Sequence, residues 1–104
     1  MSVLSITFHC TKNNLDEWEN YMDETLVLMT ENLMDVNKYI LSEVDSDYIE
    51  DGKNYNLLLI FDNDDLRSDF IKSEMENIAE IIDKKFGQEV MIFNTSLNPK
   101  KTRL

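Results

Sequence analysis

Three side chains near the start of this sequence have the chemistry of a reaction or binding site. His9 is the only histidine, and it follows Thr7 by two residues and Ser5 by four. Alternate residues of a strand share one face, so the three would form a polar row that can hydrogen-bond a ligand, with His9 as a general acid or base. The alternative is a histidine that faces solvent or another subunit, because no catalytic partner motif accompanies it.

Glu74 is a second candidate because it interrupts an apolar stripe. It follows Phe70 by four residues and precedes Ile78 by four, so a continuous helix would place its carboxylate among buried side chains. A desolvated carboxylate at that position could act as a general base. The alternatives are a side chain that reaches the edge of the stripe, or a helix that bends near Ser73.

Trp18 and Met22 are candidates to line a ligand pocket between a helix and the sheet, together with Ser5 and Thr7. Such a pocket would take a small apolar molecule and would need a volume of about 300 Å3 or more. The regular spacing of Trp18 and Met22 is equally typical of ordinary core packing. Cys10 is predicted to be a buried core residue, because strand neighbours point to opposite faces and His9 therefore points away from it.

No sequence motif indicates a metal or a cofactor. The chain has no zinc ligand set, phosphate loop, dinucleotide fingerprint or nucleophile elbow, so we predict no metal and no cofactor. The acids Asp45, Asp47, Glu50 and Asp51 lack the spacing of a calcium-binding loop. They are predicted to form a solvated hairpin tip.

The elements that position these residues follow the order βαββαβ. The periodicity predicts strands over residues 3–10, 36–44, 57–61 and 90–97, and helices over residues 15–33 and 63–86. The polar residues 45–53 form the tip of a hairpin between the second and third strands. This order is the ferredoxin-like arrangement, an α+β fold with a four-stranded antiparallel sheet and two helices on one face.

The run from Leu57 to Phe61 is apolar on both faces of its strand, so both faces need cover. Trp18, Met22, Phe70 and Ile81 are predicted to cover one face. A second copy of the chain would cover the other face, which gives a dimeric α+β barrel. The sequence does not show which set of side chains meets the partner, because both faces of the strand are apolar. The two possible sets are Leu57, Leu59 and Phe61, or Leu58 and Ile60.

Composition limits the class of partner. The chain has 104 residues and a formal net charge of −11, which argues against nucleic acid and against an anionic membrane surface. One cysteine and an N-terminus without a signal-peptide pattern favour the cytoplasm. We predict one domain over residues 1–99 and a mobile basic tail over residues 100–104.

Three short motifs carry a resemblance that spans nearly the whole chain. They are Trp18-Glu19-Asn20-Tyr21-Met22, Phe61-Asp62-Asn63 with Leu66, and Phe86-Gly87 followed by Val90, Phe93, Thr95 and Leu97. Together they resemble a small uncharacterised bacterial family of the dimeric α+β barrel group. The resemblance implies a ferredoxin-like fold and a homodimer. Leu26 stands where members of that family often carry a histidine, and the wider group includes cofactor-free monooxygenases and haem-degrading enzymes.

The first hypothesis is therefore a small acidic homodimeric domain without an identifiable catalytic motif. The alternative is a small-molecule binding protein or a cofactor-independent, monooxygenase-like enzyme with a helix–sheet pocket. A further alternative is an acidic decoy that occupies a basic protein, which would need its carboxylates in a continuous stripe.

Overall fold

The computed structural model describes residues 1–45 and 51–104, which form four strands and two helical regions. The strands are β1 Ser2–Cys10, β2 Lys38–Glu43, β3 Lys53–Phe61 and β4 Val90–Leu97. The first helical region is α1 Leu15–Tyr21, a π-helical turn Met22–Leu26 and α2 Val27–Glu31; the second is α3 Asp64–Lys72 and α4 Glu74–Phe86. Short 3-10 turns span Lys12–Asn14 and Gly87–Glu89. Residues 46–50 of the predicted hairpin tip, with two of the acids considered as calcium ligands, lie outside the described residues.

The strands form one antiparallel sheet in the order β2-β3-β1-β4. The central pair is therefore β1 and β3, as the βαββαβ order predicts. This confirms the predicted ferredoxin-like α+β fold. The doubly apolar run lies on β3, in the middle of the sheet.

The structure shows which residues of the run from Leu57 to Phe61 face the helices, a question that the sequence leaves open. Leu57, Leu59 and Phe61 have exposed fractions of 1%, 0% and 0%, and they pack in the core under the helices. Leu58 and Ile60 therefore point to the opposite side of the sheet, which no helix of residues 1–45 and 51–104 covers. The sequence prediction that one face of this run needs a second cover now applies to Leu58 and Ile60.

The first helical region packs Trp18, Met22 and Leu26 into the core, as predicted. The π-helical turn at Met22–Leu26 is wider than an α-helical turn, so it changes the phase of the residues that follow. Thr30 becomes buried and donates its hydroxyl to the carbonyl oxygen of Leu26 at 2.8 Å. In the part of the chain that the structure describes, no helix has both the length and the apolar character to cross a membrane.

The second helical region breaks at Ser73, and the break corrects one prediction. Asn63 caps α3 by accepting a hydrogen bond from the amide of Leu66 at 2.9 Å. Ser73, at φ −117° and ψ −70°, departs from ideal α-helical angles, so α3 ends at Lys72 and α4 starts at Glu74. The buried stripe therefore continues through Met75 and Ile82. The prediction that Ile81 covers the sheet is wrong. Its exposed fraction is 45%, because it lies on the flank of α4.

One buried guanidinium ties α3 to the sheet. Arg67 donates to the carbonyl oxygens of Val3 at 3.1 Å and Leu97 at 2.8 Å, and to the side-chain oxygen of Asn98 at 3.0 Å. Its carboxylate neighbour Asp64 lies 3.6 Å away. These contacts join the start of β1 to the end of β4.

The C-terminal tail is exposed throughout residues 100–104. Leu104 lines a small cavity of about 160 Å3 together with Lys38 and Ile60. The mobility of this tail stays a prediction.

Candidate functional site

The side of the sheet that no helix covers presents four positions on each of the four strands, and we call it the helix-free face. Val44 lies just beyond β2 and continues the alternation, since its amide donates to the carbonyl oxygen of Asn54 at 2.9 Å. The face consists of Val3, Ser5, Thr7, His9, Lys38, Ile40, Ser42, Val44, Asn54, Asn56, Leu58, Ile60, Met91, Phe93, Thr95 and Leu97.

The helix-free face carries no acidic residue, although the chain has 21 aspartates and glutamates. Lys38, at one corner, is its only residue with a full charge. Its large apolar side chains are unusually exposed, with fractions of 54% for Ile40, 58% for Phe93 and 48% for Met91. A partly apolar surface without acids on such an acidic chain is typical of a surface that another protein covers.

A polar row crosses the middle of the helix-free face. The side-chain amide of Asn56 donates to Ser5 Oγ at 2.8 Å and lies 3.3 Å from Thr7 Oγ1. Asn56 pairs with Thr7 across β1 and β3, so one amide of β3 holds both hydroxyls of β1. Ser5 and Thr7 do share a face, as the sequence predicts, and each is half-buried.

His9 continues this row towards the hairpin. Its Nδ1 lies 2.7 Å from Oδ1 of Asn54, the residue opposite it on β3. An amide oxygen only accepts, so Nδ1 donates to it and Nε2 takes no part in this bond. Among residues 1–45 and 51–104, no side chain or backbone group bonds Nε2. Nε2 is therefore available for one hydrogen bond with a group outside the described part of the chain.

Trp18 lies in a packed aromatic cluster on the opposite side of the sheet. Its ring centroid is 5.1 Å from that of Phe8, 5.7 Å from that of Tyr21 and 5.4 Å from that of Phe86. Its indole nitrogen and the Tyr21 hydroxyl are buried without a hydrogen-bond partner among the described residues. The sheet separates Trp18 and Met22 from Ser5 and Thr7, so the structure does not bring these four predicted pocket residues together.

Met22 borders a separate groove of about 270 Å3 between α1 and the edge of the sheet. In this groove the hydroxyl of Tyr55 donates to Glu19 Oε1 at 2.7 Å. Burial and this hydrogen bond raise the pKa of Tyr55. The hydroxyl therefore stays protonated and keeps the first helical region attached to β3.

Glu74 lies neither in the polar row of the helix-free face nor in the groove beside Met22. It is exposed at the first position of α4 and lines a groove of about 470 Å3 between the two helical regions. The break at Ser73 rotates its side chain out of the core, which is the bend that the sequence leaves as an alternative. Glu24, in the π-helical turn, lines the same groove from the first helical region. We call this feature the inter-helix groove.

Cys10 is buried at the end of β1, and burial, followed by the nearby Glu89 and Glu19 carboxylates, raises its pKa from 9.0 to about 11. Its thiol is therefore a poor nucleophile at neutral pH. A group whose folded pKa is raised holds its proton more tightly in the folded state. Stability is thus fully present below pH 9 and falls as the pH rises towards 11.

We expect the Cys10 thiol alone to lower the free energy of unfolding by about 2 kcal/mol between about pH 9 and about pH 11. Urea unfolding at several pH values would measure this loss. Cys10→Ala should be less stable than the wild type at neutral pH but should lose less on going to alkaline pH. The other groups whose pKa is raised supply the loss that remains; they are Tyr21, Tyr39, Lys53 and Tyr55. Equal alkaline losses in the two proteins would contradict the assignment.

Sequence reasoning missed the partners of these residues. Asn54 and Asn56 alternate with the buried Tyr55 and Leu57, and this period of two is a signal that could have placed them beside His9 and Thr7. Glu24 gives no such signal, because its place in the groove depends on the π-helical turn. Within the described ranges, no three histidine, cysteine or acidic side chains are grouped so as to hold a metal ion.

Several solved structures share this architecture at low sequence identity. HapK from Hahella chejuensis aligns with a TM-score of 0.69 and 7% identity, covering 100% of this chain and 97% of its own. An ethyl tert-butyl ether d (EthD) family protein from Bacillus halodurans gives a TM-score of 0.67 and 11% identity, covering 91% and 97%. A dimeric ferredoxin-like protein from an uncultured marine organism gives 0.56 and 16%, covering 100% and 99%. At these identities the likeness shows the fold alone.

Comparison with curated proteins finds no match. A family model, in contrast, matches residues 1–100, nearly the whole length of the chain. The chain therefore belongs to the domain-of-unknown-function family DUF4286.

Proposed function

We propose that this protein acts as a homodimer in which two copies pack their helix-free faces together. The observation that carries the proposal is the absence of any acid from that face in a chain with 21 of them. Two copies with a net charge of −11 each would repel through most of their surface. Packing through the helix-free face brings no carboxylate of that face against the partner copy. The marine protein of similar fold is dimeric, which supports a dimer but says nothing of the face that it uses.

The area of the face suits a specific interface. Four strands spaced about 4.8 Å apart and about eight residues long give a face of about 500 Å2. Two such faces bury about 1,000 Å2 in total, close to the smallest area expected of a specific protein interface. Phe93, Ile40 and Met91 lie on the flanks of the sheet and supply the large apolar contacts.

The polar row does not oppose this packing. Burying a hydroxyl or an amide is costly when it has no hydrogen-bond partner. Ser5 and Thr7 already bond Asn56, and His9 already bonds Asn54. The row can therefore enter the interface with most of its polar atoms satisfied, and His9 Nε2 is left to form a hydrogen bond with the partner copy or with water.

Phe93→Asp should separate the dimer into monomers. The new carboxylate would be buried without a partner at the interface, so we expect the dissociation constant to rise about 1,000-fold. Light scattering would report the mass of the chain, 12.3 kDa, in place of twice that value. Leu28→Asp is the matched control, because Leu28 is as exposed as Phe93 (56% against 58%) but lies on α2. A monomeric wild type at micromolar concentration would refute the proposal, and so would dissociation by Leu28→Asp alone.

A second candidate function is the binding of a small molecule. The inter-helix groove, at about 470 Å3, is within the range of about 300 to 1,000 Å3 that is typical of ligand sites. It lies on the helical side of the sheet and would stay open in the proposed dimer. A ligand in the inter-helix groove would lie between the two helical regions, and not in the helix–sheet pocket that the sequence suggested.

A further inference from the structure

The inter-helix groove combines an apolar floor with an acidic rim. Leu28, Met29 and Leu33 line it from the first helical region, and Ile78 lines it from α4. Leu28 keeps an exposed fraction of 56%, which is high for a leucine beside three other apolar side chains. The groove therefore offers apolar area that a ligand can cover.

All charged residues that line the groove are acidic. Glu24 is contributed by the π-helical turn and Glu74 by the start of α4, so the two helical regions supply one carboxylate each. Neither carboxylate forms an ion pair or a hydrogen bond within the described part of the chain. Both are free to accept hydrogen bonds from a cation.

A second cavity of about 300 Å3 shares Leu33 and Glu74 with the groove. It adds Phe70 as a further apolar wall and Asp35 as a further acid. Glu74 thus stands where two apolar compartments meet. A ligand with its charge near Glu74 could place an apolar chain in either compartment.

We propose that the inter-helix groove binds an amphipathic cation, an ammonium group attached to an aliphatic or aromatic body. This proposal rests on the second candidate function and names the chemical class of its ligand. The apolar body covers Leu28, Leu33 and Ile78, and the ammonium donates to Glu24 or Glu74. An anion of the same shape meets two carboxylates and no compensating positive charge, so the groove rejects it.

The test compares three eight-carbon probes that differ only in the polar end. Octylammonium, 1-octanol and octanoate are titrated into the isotope-labelled wild-type chain, and amide NMR shifts of Leu33, Glu74 and Ile78 report binding in the groove. We expect octylammonium to bind about tenfold more tightly than 1-octanol, and octanoate not to bind. Equal binding of all three probes would overturn the cation proposal but leave small-molecule binding intact. If none of the three probes binds, or if the shifts are confined to residues outside the groove, both the cation proposal and small-molecule binding in the groove are overturned.

Variants separate recognition in the groove from general attraction to an acidic chain. Glu24→Gln and Glu74→Gln should each weaken octylammonium about threefold, and the double variant about tenfold, while 1-octanol binding stays unchanged. Glu76→Gln is the matched control, because Glu76 is an exposed acid of the same helix that does not line the groove. A loss in Glu76→Gln as large as that in Glu74→Gln would show diffuse electrostatics only and overturn the proposal. Circular dichroism checks that each variant is folded.

Discussion

Gly52→Ala is expected to lower the free energy of unfolding by about 3 kcal/mol or more. Gly52 has φ +106°, a conformation that residues with a side chain rarely adopt. A Cβ atom built on it would lie 1.9 Å from the carbonyl oxygen of Cys10 and 2.9 Å from its carbonyl carbon. Both obstacles are backbone atoms of a central strand, so the chain before β3 would have to move. Urea unfolding monitored by Trp18 fluorescence would measure the loss.

Gly87→Ala is the matched control for this prediction. Gly87 also has a positive φ, +58°, but no atom lies within 4 Å of a Cβ built there. Only the conformational cost remains, which is about 1 to 2 kcal/mol. Similar losses in the two variants would show that the approach to Cys10 does not constrain the fold.

Arg67→Ala is expected to destabilise the fold by about 3 kcal/mol. The guanidinium is nearly buried, with an exposed fraction of 9%, and donates to Val3, Leu97 and Asn98. Its removal takes charge-assisted hydrogen bonds from two carbonyl oxygens and leaves a cavity under α3. Hydrogen exchange should show that the end of β4 opens more readily in the variant.

Two further variants test the geometry of this contact. Arg67→Lys keeps the charge but cannot bond three oxygens in the planar fork of a guanidinium, so about half of the loss should remain. Lys72→Ala removes an exposed charge from the same helix and should change stability by less than about 0.5 kcal/mol. If Arg67→Ala were as mild as Lys72→Ala, the tie between α3 and the sheet would be unimportant for stability.

The sheet could be predicted from the sequence because its signals are local. Leu4, Ile6 and Phe8 alternate with polar residues, and their zero exposure confirms the predicted apolar face of β1. The run from Leu57 to Phe61 correctly marked a central strand. Its parity could not be predicted, since both of its faces are apolar and only the pairing of Leu59 with Leu4 decides which one meets the helices.

The helices were harder to predict in detail because each contains an irregular turn. The period of 3.6 residues places Glu74 and Ile81 on the buried stripe, but the distorted helical turn at Ser73 shifts the stripe and Met75 takes the buried position. The π-helical turn likewise moves Thr30 into the core. A prediction that assumes a continuous α-helix cannot show that either irregular turn shifts the buried positions.

The candidate sites could be predicted only as far as local periodicity reaches. The polar row of Ser5, Thr7 and His9 follows from strand periodicity alone, and the structure adds Asn54 and Asn56 through the register of β3. The inter-helix groove has no such local signal. It depends on Glu24 and Glu74 being brought together by two irregular helices that are distant in sequence.

The most direct test of the proposed dimer is to detect contacts between subunits in solution. In a mixture of isotope-labelled and unlabelled chains, filtered NMR experiments observe only protons that are close across the interface. We expect cross-peaks from the methyl groups of Ile40, Leu58 and Met91 and from the ring of Phe93, all on the helix-free face. Cross-peaks from Leu28 or Ile81 on the helical side, or a monomer without any intermolecular cross-peak, would contradict the account.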